Sequence, residues 1–271
     1  MTFNEIEESF NRALLSSLNK KKLFLVFPVL FLCGLLIVFS RALAYNSSNW
    51  IAMSVVFIAI FLSSGILLSV GVLLIKFYHN EVKSFKSDFL QILKESSNLL
   101  IGTIYLSLPP ILIYLLIWFV LGFFILLKEI PHIGPCFSVV LSFAPFILIF
   151  SAILLVFMNL AILFFLSPEI AFHNKKQNYK IVKKIKDTLS QKIFSAFILF
   201  LIGLLPVGII VGFLSIAANL TAINFLGHAN CLSVSLDWFF IMIPFCIVLT
   251  PCIIFFFNFA YEVYNLLFKR V

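Results

Sequence analysis

Long apolar runs alternate with short polar segments along the whole chain. Six runs contain no Asp, Glu, Lys or Arg: residues 23–40, 46–75, 98–127, 130–168, 193–236 and 238–261. Each is close to or above the roughly 20 residues that a helix needs to cross the hydrocarbon of a bilayer. The fifth run turns polar after Ile216, which predicts a span over about residues 193–216 and then a loop.

Backbone chemistry decides between helices and strands for these runs. In lipid each N–H group must find its partner within its own segment, which an open-ended helix achieves and an open sheet does not. The pattern therefore predicts an all-α, polytopic transmembrane bundle of about six spans. We expect residues 1–271 to form a single integral membrane domain.

The composition supports a membrane protein and excludes an ordinary soluble domain. Of 271 residues, 63% are hydrophobic and 11% are charged, against about 45–50% and 25% in soluble domains. A soluble fold of this size would expose large apolar patches, which soluble monomers avoid.

The distribution of basic residues predicts the orientation. Seventeen of the 19 basic residues fall in the segments before the first span, between spans two and three, between spans four and five, and after span six. The opposite connections contain only Arg41 and Lys128. Because basic connections stay in the cytoplasm, we expect a multi-pass protein of the cell (inner or cytoplasmic) membrane with both termini cytoplasmic.

The segment Ala42-Leu43-Ala44, after the first span, resembles a signal-peptidase site. The apolar run before it exceeds the 7–15 residues usual for a signal peptide, and a polar segment with three acidic residues precedes that run. The sequence therefore favours an uncleaved signal-anchor helix over a cleaved signal peptide.

Similar segments recur three times along the chain. The apolar series Phe3, Ile6, Phe10 and Leu14 returns as Val82, Phe85, Phe89 and Leu93, and less regularly as Tyr179, Val182, Ile185 and Leu189. Steps of three and four residues place such side chains on one face of a helix. Each series precedes an odd-numbered span, which predicts an amphipathic helix before each of three transmembrane hairpins.

The even-numbered spans also resemble one another. Pro145-Phe146 parallels Pro244-Phe245, and Met158-Asn159-Leu160-Ala161 parallels Phe257-Asn258-Phe259-Ala260 at the same offset. The predicted repeat units are residues 1–79, 80–173 and 174–271, each an amphipathic helix followed by two spans. Their basic residues predict contact with anionic lipid of the inner leaflet, although such helices also commonly pack around a bundle.

A basic amphipathic helix followed by a span is an arrangement that resembles a known group of proteins. In this chain it is represented by Leu166-Ser167-Pro168-Glu169-Ile170 followed by residues 181–200. It resembles the YciC-like bacterial membrane proteins and the membrane domain of some glycerophosphodiester phosphodiesterases. The resemblance covers about residues 164–214, with a fainter match over residues 76–121. It implies an architecture and no catalytic residues.

Polar groups within the predicted spans are few. Asn159 and Asn258 are expected to hydrogen-bond between spans four and six, or to line a solute path. The nearest acid is Glu262, which we expect to be an exposed residue at a helix end. With no ionisable residue at mid-span, an ion-coupled transporter would lack its usual machinery.

Prolines and small residues predict breaks and packing faces. Pro109, Pro110 and Pro206 are candidates for helix breaks along a solute path, since proline removes a backbone donor. The pairs Gly65/Ser69 and Gly208/Gly212 have the spacing that allows two helices to approach closely.

Two predicted outer loops contain His132 and Cys136, and His228 and Cys231. Cys136 and Cys231 are candidates for a disulfide in an oxidising compartment. A tetrahedral metal site built from both His–Cys pairs is an alternative, but the spacings are not typical of one, so no metal and no cofactor is predicted.

No nucleotide-binding or hydrolase motif is present in the sequence, and the net charge of +8 is explained by orientation rather than by nucleic-acid binding. We therefore expect a non-enzymatic membrane protein that acts in membrane organisation or as a subunit of a homo- or hetero-oligomeric assembly. A small channel or permease for an uncharged or amphipathic solute is the alternative, and a membrane enzyme ranks third.

Overall fold

The regular structure of the chain is helical throughout the described residues. A computed structural model describes residues 3–45, 47–83, 105–128, 141–172, 193–225 and 231–268. Within these ranges the helices are α1 (Phe3–Ser17), α2 (Lys20–Leu43), α3 (Asn49–Val82), α4 (Leu108–Lys128), α5 (Ala144–Phe172), α6 (Ile193–Phe225) and α7 (Cys231–Phe268). A 3₁₀ turn, Tyr105–Ser107, leads into α4. The predicted all-α class is confirmed.

Five helices are long and apolar enough to cross a membrane: α2, α3, α5, α6 and α7. In α4 the apolar stretch Leu108–Phe124 is shorter, so a sixth span remains a prediction. The 38 residues of α7 correspond to about 57 Å at 1.5 Å per residue, nearly twice the roughly 30 Å of bilayer hydrocarbon. This helix must therefore tilt or extend beyond the hydrocarbon.

The boundary between α1 and α2 is set by Asn19. Its side-chain oxygen accepts a hydrogen bond from the Lys21 backbone N–H at 3.2 Å, which satisfies a donor at the start of α2. The chain turns at this cap, and α1 packs back against α7. The Phe10 ring lies 4.9 Å from that of Phe255 and 5.9 Å from that of Phe259.

The last third of α7 is the centre of the bundle. Phe255, Phe256, Phe257 and Phe259 are all buried, although they point to different sides of the helix. A helix that is apolar all round needs neighbours on every side. Here α1, α2, α3, α5 and α6 supply them.

The helices α3 and α7 approach each other closely at Gly71 of α3. A β-carbon added there would overlap the Phe257 ring, which is itself 1% exposed. The predicted packing face of α6 behaves differently, because a β-carbon at Gly208 or Gly212 would meet nothing within 4 Å.

A separate hydrophobic cluster attaches α4 to the bundle. It consists of Phe61 of α3, Tyr114 and Leu121 of α4, and Ala144, Leu148 and Ala152 of α5. The Tyr114 ring packs edge-on against Phe61 at 5.7 Å. The position of α4 thus depends on α3 and α5 rather than on the core around α7.

The three-repeat prediction is only partly covered by the described residues. The first predicted amphipathic helix corresponds to α1, whose Ile6 and Phe10 pack against the core instead of facing lipid. Val82 belongs to the end of α3, and the rest of the second and third amphipathic series lies outside the described residues. The repeat therefore stays a prediction.

We expect Gly71→Ala to destabilise the protein by about 1–3 kcal/mol, because the new methyl group overpacks a buried ring. Gly208→Ala is the matched control and should leave stability unchanged, since space surrounds that position. Thermal unfolding of both variants in detergent measures the difference. Equal melting temperatures for the two would contradict the close α3–α7 packing.

Candidate functional site: a cavity and a charged cluster

A cavity of about 570 Å³ lies inside the bundle. Its wall is formed by residues of α2, α3, α5, α6 and α7, so each of the five long apolar helices contributes. The volume falls within the ~300–1,000 Å³ typical of small-molecule sites. Most of the lining is aliphatic or aromatic.

Three polar side chains lie together on one wall of the cavity, and we call them the polar belt: Ser63, Ser64 and Asn159. The Asn159 Nδ2 donates to the Ser64 Oγ at 2.5 Å, and the Ser64 Oγ donates to the Phe61 carbonyl at 2.6 Å. The bond between α5 and α3 does not use the Asn159 carbonyl oxygen. The Ser63 Oγ is buried and has no hydrogen-bond partner among the described residues.

On the side toward α1 the cavity is lined mostly by aliphatic side chains. Leu30, Leu67, Leu163, Leu249 and Ile253 form this inner half. Beyond it, the buried rings of Phe164, Phe200, Phe256 and Phe259 pack at centroid distances between 5.2 and 6.2 Å. This aromatic layer separates the cavity from the end of the bundle where α1 lies.

The α6 wall of the cavity is incomplete. Ala196, Leu199, Phe200 and Gly203 are buried, whereas no residue from 204 to 220 is. The change in packing begins next to Pro206, which lies inside the continuous helix. Since Ser215, Ala218 and Asn219 nevertheless line the cavity, α6 covers it without sealing it.

A charged cluster closes the end of the bundle where α1 lies. It consists of Arg12, Lys22, Tyr78, Glu81 and Glu262. The Tyr78 hydroxyl donates to Glu262 at 2.7 Å, and the Arg12 guanidinium lies 3.6 Å from the same carboxylate. The Lys22 Nζ lies 2.5 Å from Glu81 and 4.9 Å from the centre of the Tyr78 ring. The cluster thus links α1, α2, α3 and α7.

The expected exposure of Glu262 is wrong. The residue is 5% exposed, because α1 folds over it and α3 supplies the tyrosine. A second acid, Glu169 of α5, is 3% exposed and is bound by the Tyr264 side chain of α7. Both buried acids lie near the ends of their helices, whereas the sequence argument against ion coupling considered only mid-span positions.

Among the residues predicted for a solute path, only Asn159 lines the cavity. Asn258 is fully buried in α7, and neither atom of its amide group has a partner among the described residues. It therefore does not form the expected bond to span four, since Asn159 bonds to α3 instead. Pro109 and Pro110 lie in the first turn of α4, where a missing N–H costs nothing, rather than in a mid-span break.

The candidate disulfide cannot be placed, because Cys136 lies outside the described residues and the side chain of Cys231 is not described. His132 and His228 also lie outside them. The cavity instead brings together two other thiols, Cys33 of α2 and Cys246 of α7. Both are free and buried.

The sequence did not point to Ser63 or Ser64. It also did not point to the contacts that the two buried acids, Glu262 and Glu169, make with tyrosine side chains. Serine is common in spans, so nothing in the sequence distinguishes these two hydroxyl groups from packing residues. The tyrosines Tyr78 and Tyr264, placed near span ends, were the only available signal that the acids have partners.

Comparison with protein-family models, with curated proteins and with solved structures finds no match to this chain. The resemblance to YciC-like membrane proteins therefore stays a prediction.

We expect Tyr78→Phe to destabilise the protein by about 1.5–3 kcal/mol, the usual cost of losing a hydrogen bond to a buried charged group. Tyr105→Phe removes a hydroxyl from a side chain that is 64% exposed and should have almost no effect. Thermal unfolding in detergent compares them. A Tyr78→Phe protein as stable as the Tyr105→Phe control would show that the Glu262 contact contributes nothing.

Proposed function

We propose that this polytopic membrane protein is a small permease that takes an uncharged, mostly apolar solute into the cavity between α2, α3, α5, α6 and α7. The observation that carries the proposal is the polar belt, which places the unused carbonyl oxygen of Asn159 on a mostly apolar wall. Binding sites for small molecules combine a mostly apolar lining with a few polar groups that fix the orientation of the ligand.

The architecture is consistent with access from one side at a time. The aromatic layer and the charged cluster close the α1 end, while the incomplete α6 wall leaves the cavity accessible elsewhere. Pro206 marks the point at which α6 leaves the bundle, and proline lets a helix bend without breaking further bonds. Movement of α6 about this residue would open and close the cavity.

Orientation is part of the proposal. The basic segments of the chain support placing the charged cluster, α1 and the ends of α3, α5 and α7 in the cytoplasm, in the cell membrane. The cavity would then open toward the outer leaflet.

Membrane organisation within an assembly is the second candidate. The observation in its favour is the face of α6 around Gly208 and Gly212, which has the small-residue spacing of helix interfaces and meets nothing within 4 Å. A second copy or another membrane helix would fit such a face.

Uptake into proteoliposomes tests the permease proposal, with radiolabelled erythritol and decyl glucoside as uncharged probes. We expect protein to accelerate uptake of decyl glucoside over protein-free vesicles. Asn159→Leu should slow it about ten-fold, the equivalent of one lost hydrogen bond.

Asn258→Leu is the matched control, because it makes the same change in a repeat-related position outside the cavity. It should leave uptake unchanged and raise stability, since it removes a buried amide without partners. Uptake of both probes at the protein-free rate would refute the permease proposal.

Reporter fusions test the orientation. A fluorescent protein fused after Phe268 should fluoresce, and alkaline phosphatase inserted between α2 and α3, at Ser47, should be active. These outcomes follow from the distribution of basic residues. Activity of phosphatase fused after Phe268 would reverse the assignment.

A further inference from the structure

The cavity is long. Along α7 its lining extends from Trp238 to Ile253, which corresponds to about 22 Å at 1.5 Å per residue. A cavity of that length can accommodate an extended alkyl chain.

The polarity of the lining changes along this length. The inner half is lined mostly by aliphatic side chains, with Cys246 beside Leu30. The aliphatic residues are Leu30, Leu67, Leu163, Leu249 and Ile253. The polar belt lies near the middle, and Ser215, Asn219 and Trp238 line the other half. An apolar chain is therefore favoured in the inner half and a hydrogen-bonding group at the belt.

The polar belt offers a hydrogen-bond acceptor. The Asn159 carbonyl oxygen is not used by the bond to Ser64. The Ser63 Oγ also lacks a partner, but it is buried within the wall and is not exposed to the cavity. A ligand hydroxyl group would therefore donate to the Asn159 oxygen.

A charged headgroup is disfavoured. Among the described residues, none of the side chains that line the cavity is acidic or basic. Moving a charge into such a site without a counter-ion costs far more than moving a neutral hydroxyl group. The ligand should therefore be neutral.

We propose that the cavity binds a neutral amphiphile taken from the bilayer, with its alkyl tail in the inner half and a hydroxyl group of its headgroup donating to the Asn159 carbonyl oxygen. The incomplete α6 wall gives lateral entry from lipid. This inference rests on the proposed function only in assuming that the cavity is a binding site, and it does not require transport.

Binding of four probes to the full chain in detergent, counted by native mass spectrometry, tests the ligand class. The probe 1-decanoylglycerol has an alkyl tail and a neutral headgroup, decane has the tail alone, and glycerol has the headgroup alone. The fourth probe, decanoate, has the tail and a charged headgroup. We expect 1-decanoylglycerol to bind most tightly. Asn159→Leu should weaken it about five-fold, whereas Asn258→Leu, outside the cavity, should not.

Chain length tests the direction of the tail. Leu249→Phe adds volume to the inner half, so it should shift the preference from 1-decanoylglycerol to 1-hexanoylglycerol. Val248→Phe, the same bulk on the adjacent and more exposed residue, should leave the preference unchanged. A variant that is only destabilised would bind both 1-decanoylglycerol and 1-hexanoylglycerol more weakly, without a change in which of the two it prefers.

Three results would overturn the inference. Decane binding as tightly as 1-decanoylglycerol would remove the role of the belt, and glycerol binding as tightly would remove that of the tail. Tighter binding of decanoate would assign a charged ligand instead. Specific binding of 1-decanoylglycerol without any uptake activity would refute the permease proposal and support the ligand class. Uptake of erythritol with no binding of 1-decanoylglycerol would support the permease proposal and refute the ligand class.

Discussion

Burial of the aromatic part of α7 is the constraint on which the rest of the bundle depends. Four phenylalanines within five residues point to different sides of the helix, and all four are buried. No single neighbour can cover them, so α1, α2, α3, α5 and α6 must surround this segment. Gly71 allows α3 to approach it, and the cap at Asn19 turns α1 back over it.

The same arrangement divides the bundle into a filled end and a hollow end. Large rings fill the space between the helices near α1, whereas Met242, Cys246 and Leu249 of α7 leave the cavity further along. Polar groups follow this division. The charged groups cluster beyond the rings, where α1 supplies Arg12 and α3 supplies Tyr78, while the uncharged belt lies inside the hollow part.

Much of the fold could be predicted from the sequence, because apolar runs of span length have few alternatives in lipid. The helices α2, α3, α5, α6 and α7 each correspond to a predicted span. The site could not be predicted in the same way. Asn159 was recognised as a polar group among apolar ones, but its partner Ser64 lies 95 residues away. Glu262 near the chain end gave no local sign that α1 would cover it.

The attachment of α4 has a consequence for how the protein opens. Its buried residues belong to a cluster with α3 and α5 that is distinct from the core around α7. Proteins open in cooperative units whose stability follows their own contacts. The α4 segment is therefore expected to separate as one unit while the aromatic core stays intact.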